Sequence, residues 1–224
     1  MLENIHHRFR GASYYENSKS EVILIAGLGG IGSNTAYSLC KSVPASYVFI
    51  DDDLVEPHNV GTQHFDTTQL GISKVAAMKR QLTAQGVQVI SLFERKILSS
   101  GDALPITIAA FDNMAARKQL FEDWMLQPDR ELFIDGRLRA SYFEIFAVTP
   151  GREDEYKATL FNDGEGSPAM CTFKQTTYFG SLIGARITQV VVNYLTNKYS
   201  EVSFTKVPFK ITDIGELFKE EIIW

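Results

Sequence analysis

The glycine-rich stretch from Val22 to Asp53 constrains the fold of this chain more than any other feature. An apolar run, Val22 to Ala26, is typical of a buried strand, and glycines follow it in the order G-x-G-x-x-G. A helical pattern then opens near Ser33, and a second apolar run, Tyr47 to Ile50, ends in a run of aspartates. This order of strand, glycine turn, helix and strand predicts a nucleotide-binding βαβ unit.

The glycines of this turn suit a phosphate site for a physical reason. Glycine permits a tight turn and a close backbone approach, and the helix N-terminus offers free N–H groups to an anion. An acid after the second strand can accept hydrogen bonds from ribose hydroxyls. The alternative is a tight turn in an α/β core that binds no ligand. The residues concerned are Gly27, Gly29, Gly30 and Gly32, with Asp51, Asp52 and Asp53 after the second strand.

The composition is that of one globular domain. The chain has 224 residues, of which 45% are hydrophobic, and a net charge of −5 with acids and bases mixed along it. No basic stripe favours nucleic acid, no run is apolar enough to span a membrane, and the N-terminus lacks signal-peptide order. The two cysteines, Cys40 and Cys171, give no disulfide framework and no four-cysteine zinc site. We therefore expect a cytoplasmic protein with a single domain over residues 21–224.

Residues 1–20 form a separate N-terminal arm in this interpretation. The arm is polar and aromatic, and it carries His6, His7, Arg8 and Arg10 close together. It either packs against the domain or a partner subunit, or forms a partly ordered tail. The residues leave these interpretations open.

The middle of the chain continues the α/β pattern. We predict a helix over Ile72–Ala84, strands over Val87–Phe93 and Ile106–Phe111, a helix ending near Met125, and a strand over Leu132–Asp135. Lys74 lies in the first turn of its helix, where a cation opposes the dipole, so it indicates a nearby anion or is simply solvated. Asp112 follows a strand at the edge where open α/β sheets bind ligands. It is therefore either a magnesium-binding acid or a helix N-cap.

The pattern changes in the last third of the chain. We predict an antiparallel strand pair, Tyr142–Thr149 and Tyr156–Phe161, a loop over Asn162–Thr177, a long helix over Phe179–Asn197 and a strand over Val202–Ile211. The expected fold is a Rossmann-like, mostly parallel α/β sheet flanked by helices, with an antiparallel C-terminal extension. Apolar residues spread over a wide arc of the long helix, so we expect a homodimer.

Several segments together resemble the ThiF/MoeB/HesA family, relatives of the ubiquitin-activating enzymes. The matching segments are GLGGIGS, IDDDLVEPHN followed by Gln63, GISKV and FDNMAARKQL. The region CTFKQTTYFGSLIGARITQVVVNYL resembles the family's crossover region and following helix less specifically. Each segment alone is common, and the joint occurrence over residues 20–197 is specific.

The resemblance implies ATP-dependent adenylation of a carboxylate, usually the C-terminal glycine of a ubiquitin-like or sulfur-carrier protein. It implies ATP and Mg²⁺ as cofactors and release of pyrophosphate. The implied nucleotide-binding residues are Gly27, Gly29, Gly30, Gly32, Ser33, Asp51, Asp53, Gln63, Lys74 and Asn113. The implied catalytic residues are Asn59 and Lys74 at the phosphates, Asp112 at magnesium, Arg10 from a partner subunit and Cys171 in the crossover loop.

The chain departs from the family pattern in ways that bear on activity. Thr62 stands where many members have an arginine, and the spacing of the N-terminal arginine is not matched, so Arg8 and Arg10 are only candidates for it. The paired C-x-x-C motifs of a structural zinc site are absent, so no structural zinc is expected. Cys171 either forms a thioester or persulfide with the activated carrier or has no role.

Other functions remain open at this level. An NAD(P)-dependent oxidoreductase would use the same glycine turn, but it has no evident need for Lys74, Asn59 and Asp112 around the phosphates. A non-catalytic partner subunit of an activating enzyme is favoured by Thr62 and opposed by the retained Lys74 and Asp112. A dehydratase that activates an RNA-borne carboxylate is a lesser alternative.

Overall fold

The computed structural model describes residues 5–87, 89–95, 101–162, 177–203 and 205–224. Within these ranges one sheet of eight strands runs through the molecule. Its strands are β1 (Val22–Ala26), β2 (Ser46–Ile50), β3 (Val89–Phe93), β4 (Ile106–Ala109), β5 (Leu132–Arg139), β6 (Tyr142–Val148), β7 (Lys210–Ile214) and β8 (Lys219–Ile223). The helices are α1 (Gly30–Ser42), α2 (Pro57–Val60), α3 (Lys74–Ala84), α4 (Met114–Leu126), α5 (Glu153–Lys157) and α6 (Thr177–Tyr199).

The sheet is mixed, with a parallel and an antiparallel half. Its strand order is β3-β2-β1-β4-β5-β6-β7-β8. Strands β1 to β5 pair in parallel, whereas β5 with β6, β6 with β7 and β7 with β8 are antiparallel. The predicted fold class is therefore confirmed. The order reverses at β1, so the connections leaving β1 and β4 run to opposite sides of a crevice at the carboxyl ends of the strands.

Both faces of the parallel half are covered, which explains its continuous apolar strands. Alternate residues of β1 face opposite sides: Ile23 and Ile25 pack with α1, α3 and α6, whereas Leu24 and Ala26 pack with α4 and α5. The contact between α1 and α6 is close because Gly184 has no side chain. A Cβ atom there would lie 2.8 Å from the carbonyl carbon of Asn34.

One predicted strand pair is wrong. Strand β6 pairs with β5 and β7, and the segment predicted as its partner begins inside helix α5. The run Glu153–Glu155 fills the first turn of α5 with acids, which stabilise a helix N-terminus. Tyr156 is buried and packs edge-on against Phe121, so this apolar position belongs to the core although it lies in a helix.

Other predicted element boundaries differ less from those in the structure. The last predicted strand lies at Lys210–Ile214 rather than Val202–Ile211, and Phe111 follows β4 rather than ending it. Strand β8 was not predicted. Its five residues are exposed, so its sequence carries no alternation of apolar and polar positions. Most of the predicted loop over Asn162–Thr177 lies outside the described residues.

Residues 5–20 lie against the domain. The buried His6 ring nitrogen Nε2 lies 3.0 Å from the carbonyl oxygen of Cys40, and the Tyr14 hydroxyl donates to the Ser42 carbonyl at 3.2 Å. Both contacts are with the C-terminal end of α1. Cys40 is itself buried, as expected for a core residue. The division into an arm and one domain stays a prediction.

The apolar arc of α6 is largely accounted for by the chain's own core. Five of its apolar side chains, Ile183, Ile187, Val190, Val191 and Leu195, are buried there, whereas Leu182 is 37% exposed. The homodimer therefore stays a prediction, with less support from this helix than its sequence implied. We find no helix in the described ranges with the length and apolar character needed to cross a bilayer.

Candidate functional site

The glycine turn is fixed against the end of the neighbouring strand. Gly27 has a φ of +88°, and a Cβ atom there would lie 2.7 Å from the Ala110 carbonyl oxygen. Its N–H donates to the Ile50 carbonyl at 2.8 Å. Gly29 is the N-cap of α1, and a Cβ atom on Gly29 would meet no heavy atom of the described chain within 4 Å. The turn thus needs glycine at Gly27 for its own geometry, whereas Gly29 faces open space at the N-terminus of α1.

Asp51 joins the end of β2 to this turn. The Leu28 N–H donates to Asp51 Oδ2 at 2.6 Å, and the Asp53 N–H donates to Oδ1 at 2.9 Å. Burial raises the pKa of the Asp51 carboxyl above its usual value, and these donors and the Lys74 charge oppose the rise. Each carboxylate oxygen accepts one of these bonds and can accept another. An acceptor beside the glycine turn is the group that a ribose hydroxyl requires.

Lys74 is a buried cation beside the glycine turn. It is the first residue of α3, and its Nζ lies 2.6 Å from Asp53 Oδ2. The lysine side chain is 5% exposed, whereas the Asp53 side chain is 64% exposed. The anion indicated by a lysine at a helix N-terminus is, in this structure, Asp53. Because Asp53 reaches the lysine from solvent, a phosphate oxygen can take its place without unfolding α3.

The segment from Glu56 to Gln63 folds back onto the glycine turn. Asn59 is buried and its Oδ1 accepts the Glu56 N–H at 2.8 Å, which caps α2. Ser33 in α1 donates its hydroxyl to the Gly29 carbonyl at 2.7 Å and accepts the His64 N–H at 3.0 Å. The sequence motif around Asn59 is thereby held beside the N-terminus of α1.

One side-chain atom of this segment is unusual. The amide oxygen of Gln63 is buried and has no hydrogen-bond partner within the described part of the chain. Buried polar atoms in native proteins are nearly always paired, so an orphan needs an explanation. A bound ligand that donates to Gln63 supplies one.

Asp112 lies in the turn after β4, beside the glycine turn. Its side chain is exposed. Within the described part of the chain, its Oδ1 accepts one long hydrogen bond, from Asn113 Nδ2 at 3.4 Å. Asn113, not Asp112, caps α4, because Asn113 Oδ1 accepts the Ala116 N–H at 2.8 Å. The carboxylate of Asp112 is therefore available to a ligand.

The donor set at Asp112 fits one kind of metal site. The described residues contain no group of three or more His, Cys, Asp or Glu side chains that could hold a metal ion. Mg²⁺ is commonly held by one or two carboxylates together with substrate phosphates, so a single carboxylate at a phosphate site suits it. A closed structural zinc site would need four protein ligands.

A buried cluster next to Asp112 was missed at the sequence level. Arg117 and Arg137 both bond the carboxylate of Asp135, which is fully buried in the middle of β5 at the point where its pairing with β4 ends. The Tyr156 hydroxyl donates to the same carboxylate at 3.0 Å. The signal was present, because Arg117 is a cation near the N-terminus of α4. The argument that singled out Lys74 applies less strongly to Arg117, because Arg117 is the fourth residue of α4 whereas Lys74 is the first residue of α3.

One predicted residue is not brought to the site, and another is not among the described residues. Arg10 is exposed in the N-terminal arm, which contacts the end of α1 opposite to the glycine turn. Its action across a dimer stays a prediction. Cys171 lies outside the described residues.

Comparisons with known proteins identify similar chains. The model of the ThiF family matches residues 2–219. Ubiquitin-like modifier-activating enzyme 5 of Drosophila virilis is 36% identical over 220 residues, covering 84% of this chain and 53% of that enzyme. The same enzyme of Rattus norvegicus is 25% identical over 225 residues, covering 86% of this chain and 54% of the enzyme. The chain thus spans about half the length of these curated relatives. The match to the same enzyme of Drosophila persimilis covers only 18% of that enzyme.

Solved structures share the fold. E. coli MccB with ATP superposes with a TM-score of 0.70 at 19% identity, covering 94% of this chain and 65% of MccB. MccB with AMPCPP and MccA gives a TM-score of 0.72, also at 19% identity, covering 99% and 71%. At this identity the likeness establishes the fold alone.

Proposed function

Because the chain belongs to the ThiF family of E1-like adenylating enzymes, we propose that it is an ATP-dependent adenylyltransferase of a carboxylate. The observation that carries the proposal is the convergence of two turns at the carboxyl ends of β1 and β4. The glycine turn is bonded to Asp51 and touches the turn that carries Asp112. This crevice joins a phosphate-binding turn, a ribose acceptor and a carboxylate for a metal ion.

Each residue has a distinct role in this proposal. The free N–H groups at the start of α1 bind the ATP phosphates, and Asp51 accepts bonds from the ribose. Lys74 exchanges Asp53 for a phosphate oxygen, and the orphan oxygen of Gln63 accepts a donor from the bound nucleotide or a water. Such preorganised groups stabilise the charge that develops on the phosphoryl oxygens.

The reaction is a substitution at the α-phosphorus of ATP. A carboxylate oxygen of the substrate forms a bond to this phosphorus, and the bond to the pyrophosphate oxygen breaks, giving an acyl-adenylate and pyrophosphate. The attacking carboxylate is already ionised at neutral pH, so no general base is required. Asp112 would hold Mg²⁺, which when bound offsets phosphate charge.

We propose the C-terminal carboxylate of a polypeptide as the substrate. The curated relatives are named as activating enzymes for ubiquitin-like modifiers, and MccB has been solved together with MccA. A ubiquitin-like or sulfur-carrier protein with a C-terminal glycine is the first candidate, and the C-terminus of a peptide is the second. A non-catalytic partner subunit is the remaining alternative, because Thr62 stands where many family members have an arginine.

Exchange of radiolabelled pyrophosphate into ATP tests this proposal. The protein is incubated with ATP, Mg²⁺ and either a carrier ending in glycine or a peptide with a free C-terminus. Exchange that requires one of these substrates supports adenylation and identifies the substrate class. Binding of ATP without exchange for any substrate, including after addition of candidate partner subunits, would contradict it.

A further inference from the structure

Arg117 reaches back from α4 to the turn that carries Asp112. Its Nη2 donates to the Phe111 carbonyl at 2.7 Å, and its Nη1 lies 3.4 Å from the Asn113 carbonyl oxygen. These carbonyls belong to the residues on either side of Asp112. The guanidinium therefore holds the backbone of this turn from both flanks, while the Asp112 side chain remains exposed.

The guanidinium is itself fixed from behind. Its Nε donates to Asp135 Oδ1, and its Nη2 also approaches the Gly136 carbonyl at 3.3 Å. Asp135 Oδ2 accepts from Arg137 Nε at 2.7 Å, and Arg137 in turn donates to the Thr159 carbonyl at 3.1 Å. Both arginines thus share one carboxylate, but they hold different backbone segments.

Stability alone does not explain the burial of this ion pair. Arg117 is 4% exposed and Asp135 is fully buried, so both charges have lost their water. Replacing a buried ion pair with well-packed apolar residues is often neutral or stabilising, because desolvation offsets the attraction. What an apolar side chain cannot supply is a rigid, planar set of donors to backbone carbonyls. The geometry of the turn, rather than the free energy of folding, accounts for an arginine at this position.

We propose that Arg117 is a positioning residue that fixes Asp112 for binding of magnesium–ATP. The inference rests on the proposed function, since it presumes that Asp112 holds Mg²⁺ at the nucleotide. Groups that orient a metal ligand change metal affinity when they are replaced, typically by about 10–100-fold. Arg117 acts through the backbone that carries the ligand and does not touch the nucleotide.

The matched pair Arg117→Lys and Arg137→Lys tests this proposal. Each variant keeps a positive charge beside Asp135 and removes one guanidinium, but only Arg117→Lys releases the turn around Asp112. The readout is the dissociation constant of ATP, measured by calorimetry on the full chain with Mg²⁺ and with EDTA. The ratio of these two constants reports the contribution of the metal ion to ATP binding. A general loss of stability would affect both constants and would leave their ratio unchanged.

In Arg117→Lys, the factor by which Mg²⁺ tightens ATP binding should fall by about tenfold or more. Arg137→Lys should keep the wild-type ratio, and ATP binding in EDTA should change little in both. Melting curves are recorded first, and the matched pair Arg117→Gln and Arg137→Gln replaces the lysine pair if Arg117→Lys does not fold. An unchanged ratio in the Arg117 variant, or an equal loss in both variants, overturns the proposal.

The wild-type protein separates this inference from the proposed function. If it binds ATP more tightly with Mg²⁺ but never exchanges pyrophosphate, the adenylation proposal fails and the role of Arg117 is still decided by the ratio. If Mg²⁺ does not tighten ATP binding in the wild type, the positioning role fails because Asp112 then holds no ion at the nucleotide.

Discussion

The ammonium of Lys74 lies 2.6 Å from the carboxylate of Asp53, and only the lysine of this pair is buried. An exposed anion on a buried cation is easily displaced by another anion. The pair therefore keeps Lys74 extended toward the crevice before a nucleotide arrives. It also makes ATP and Asp53 competitors for the same ammonium group.

Replacement of Asp53 tests this competition. In Asp53→Asn the buried ammonium loses its partner, so ATP should raise the melting temperature by more than it does in the wild type, because ligand binding then satisfies an unpaired charge. The apo protein should also lose stability, because the buried ammonium of Lys74 is left without this carboxylate, and the solvation of Asp53 limits the loss. Asp52→Asn, at the exposed neighbouring carboxylate, is the control and should leave the ATP-induced shift unchanged. A smaller shift in Asp53→Asn than in the wild type would show that Asp53 helps to bind the nucleotide.

The glycine turn allows folding and binding to be separated. Gly27→Ala forces a side chain into a φ of +88° and against the Ala110 carbonyl, so it should destabilise the protein by about 1–3 kcal/mol. Gly29→Ala meets no heavy atom of the described chain within 4 Å, so it should fold like the wild type. It should nevertheless weaken ATP binding, because the methyl group fills space that a phosphate needs. Denaturant unfolding and calorimetry measure the two effects. Normal ATP affinity in Gly29→Ala would mean that the phosphates lie elsewhere.

The raised pKa of Asp51 gives a pH-dependence with a definite sign. A folded-state pKa above the unfolded value means that the native protein binds the proton more tightly, so ionisation of Asp51 lowers stability as pH rises through the folded pKa. Relative to Asp51→Asn, the wild type should therefore gain stability as pH falls from about 7 to about 4. Denaturant unfolding of both proteins across this range checks the sign. A relative loss of stability would show that the N–H donors and Lys74 depress the pKa instead.

The parallel half of the fold could be predicted because its signals are local. The glycine turn, the apolar runs of β1 and β2 and the acids at strand ends are all contiguous in sequence. Lys74 was assigned to a first turn, and the helix begins at that residue. The chemistry of this edge follows from the order of elements in a parallel sheet, which the topology rules restrict.

The antiparallel half could not be predicted in the same way. The segment from Tyr156 has the composition of a strand, but the acids before it start a helix, and the real partners of β6 come from Leu132–Arg139 and Lys210–Ile214. The buried cluster was missed because Arg117 and Asp135 are 18 residues apart and meet only in three dimensions. A contact between residues that are distant in sequence can be identified only from the three-dimensional fold, because the local sequence pattern does not show it.

The central claim is that Asp112 holds the metal ion of an ATP-dependent adenylation. Its most direct test is magnesium-dependent pyrophosphate exchange by Asp112→Ala, with Asp129→Ala as the control. Asp129 is an exposed carboxylate that precedes β5 and so lies toward the opposite edge of the sheet. Exchange by Asp112→Ala should fall by about 10²–10³-fold with its melting temperature unchanged, whereas Asp129→Ala should match the wild type. Exchange at the wild-type rate in folded Asp112→Ala would contradict the account.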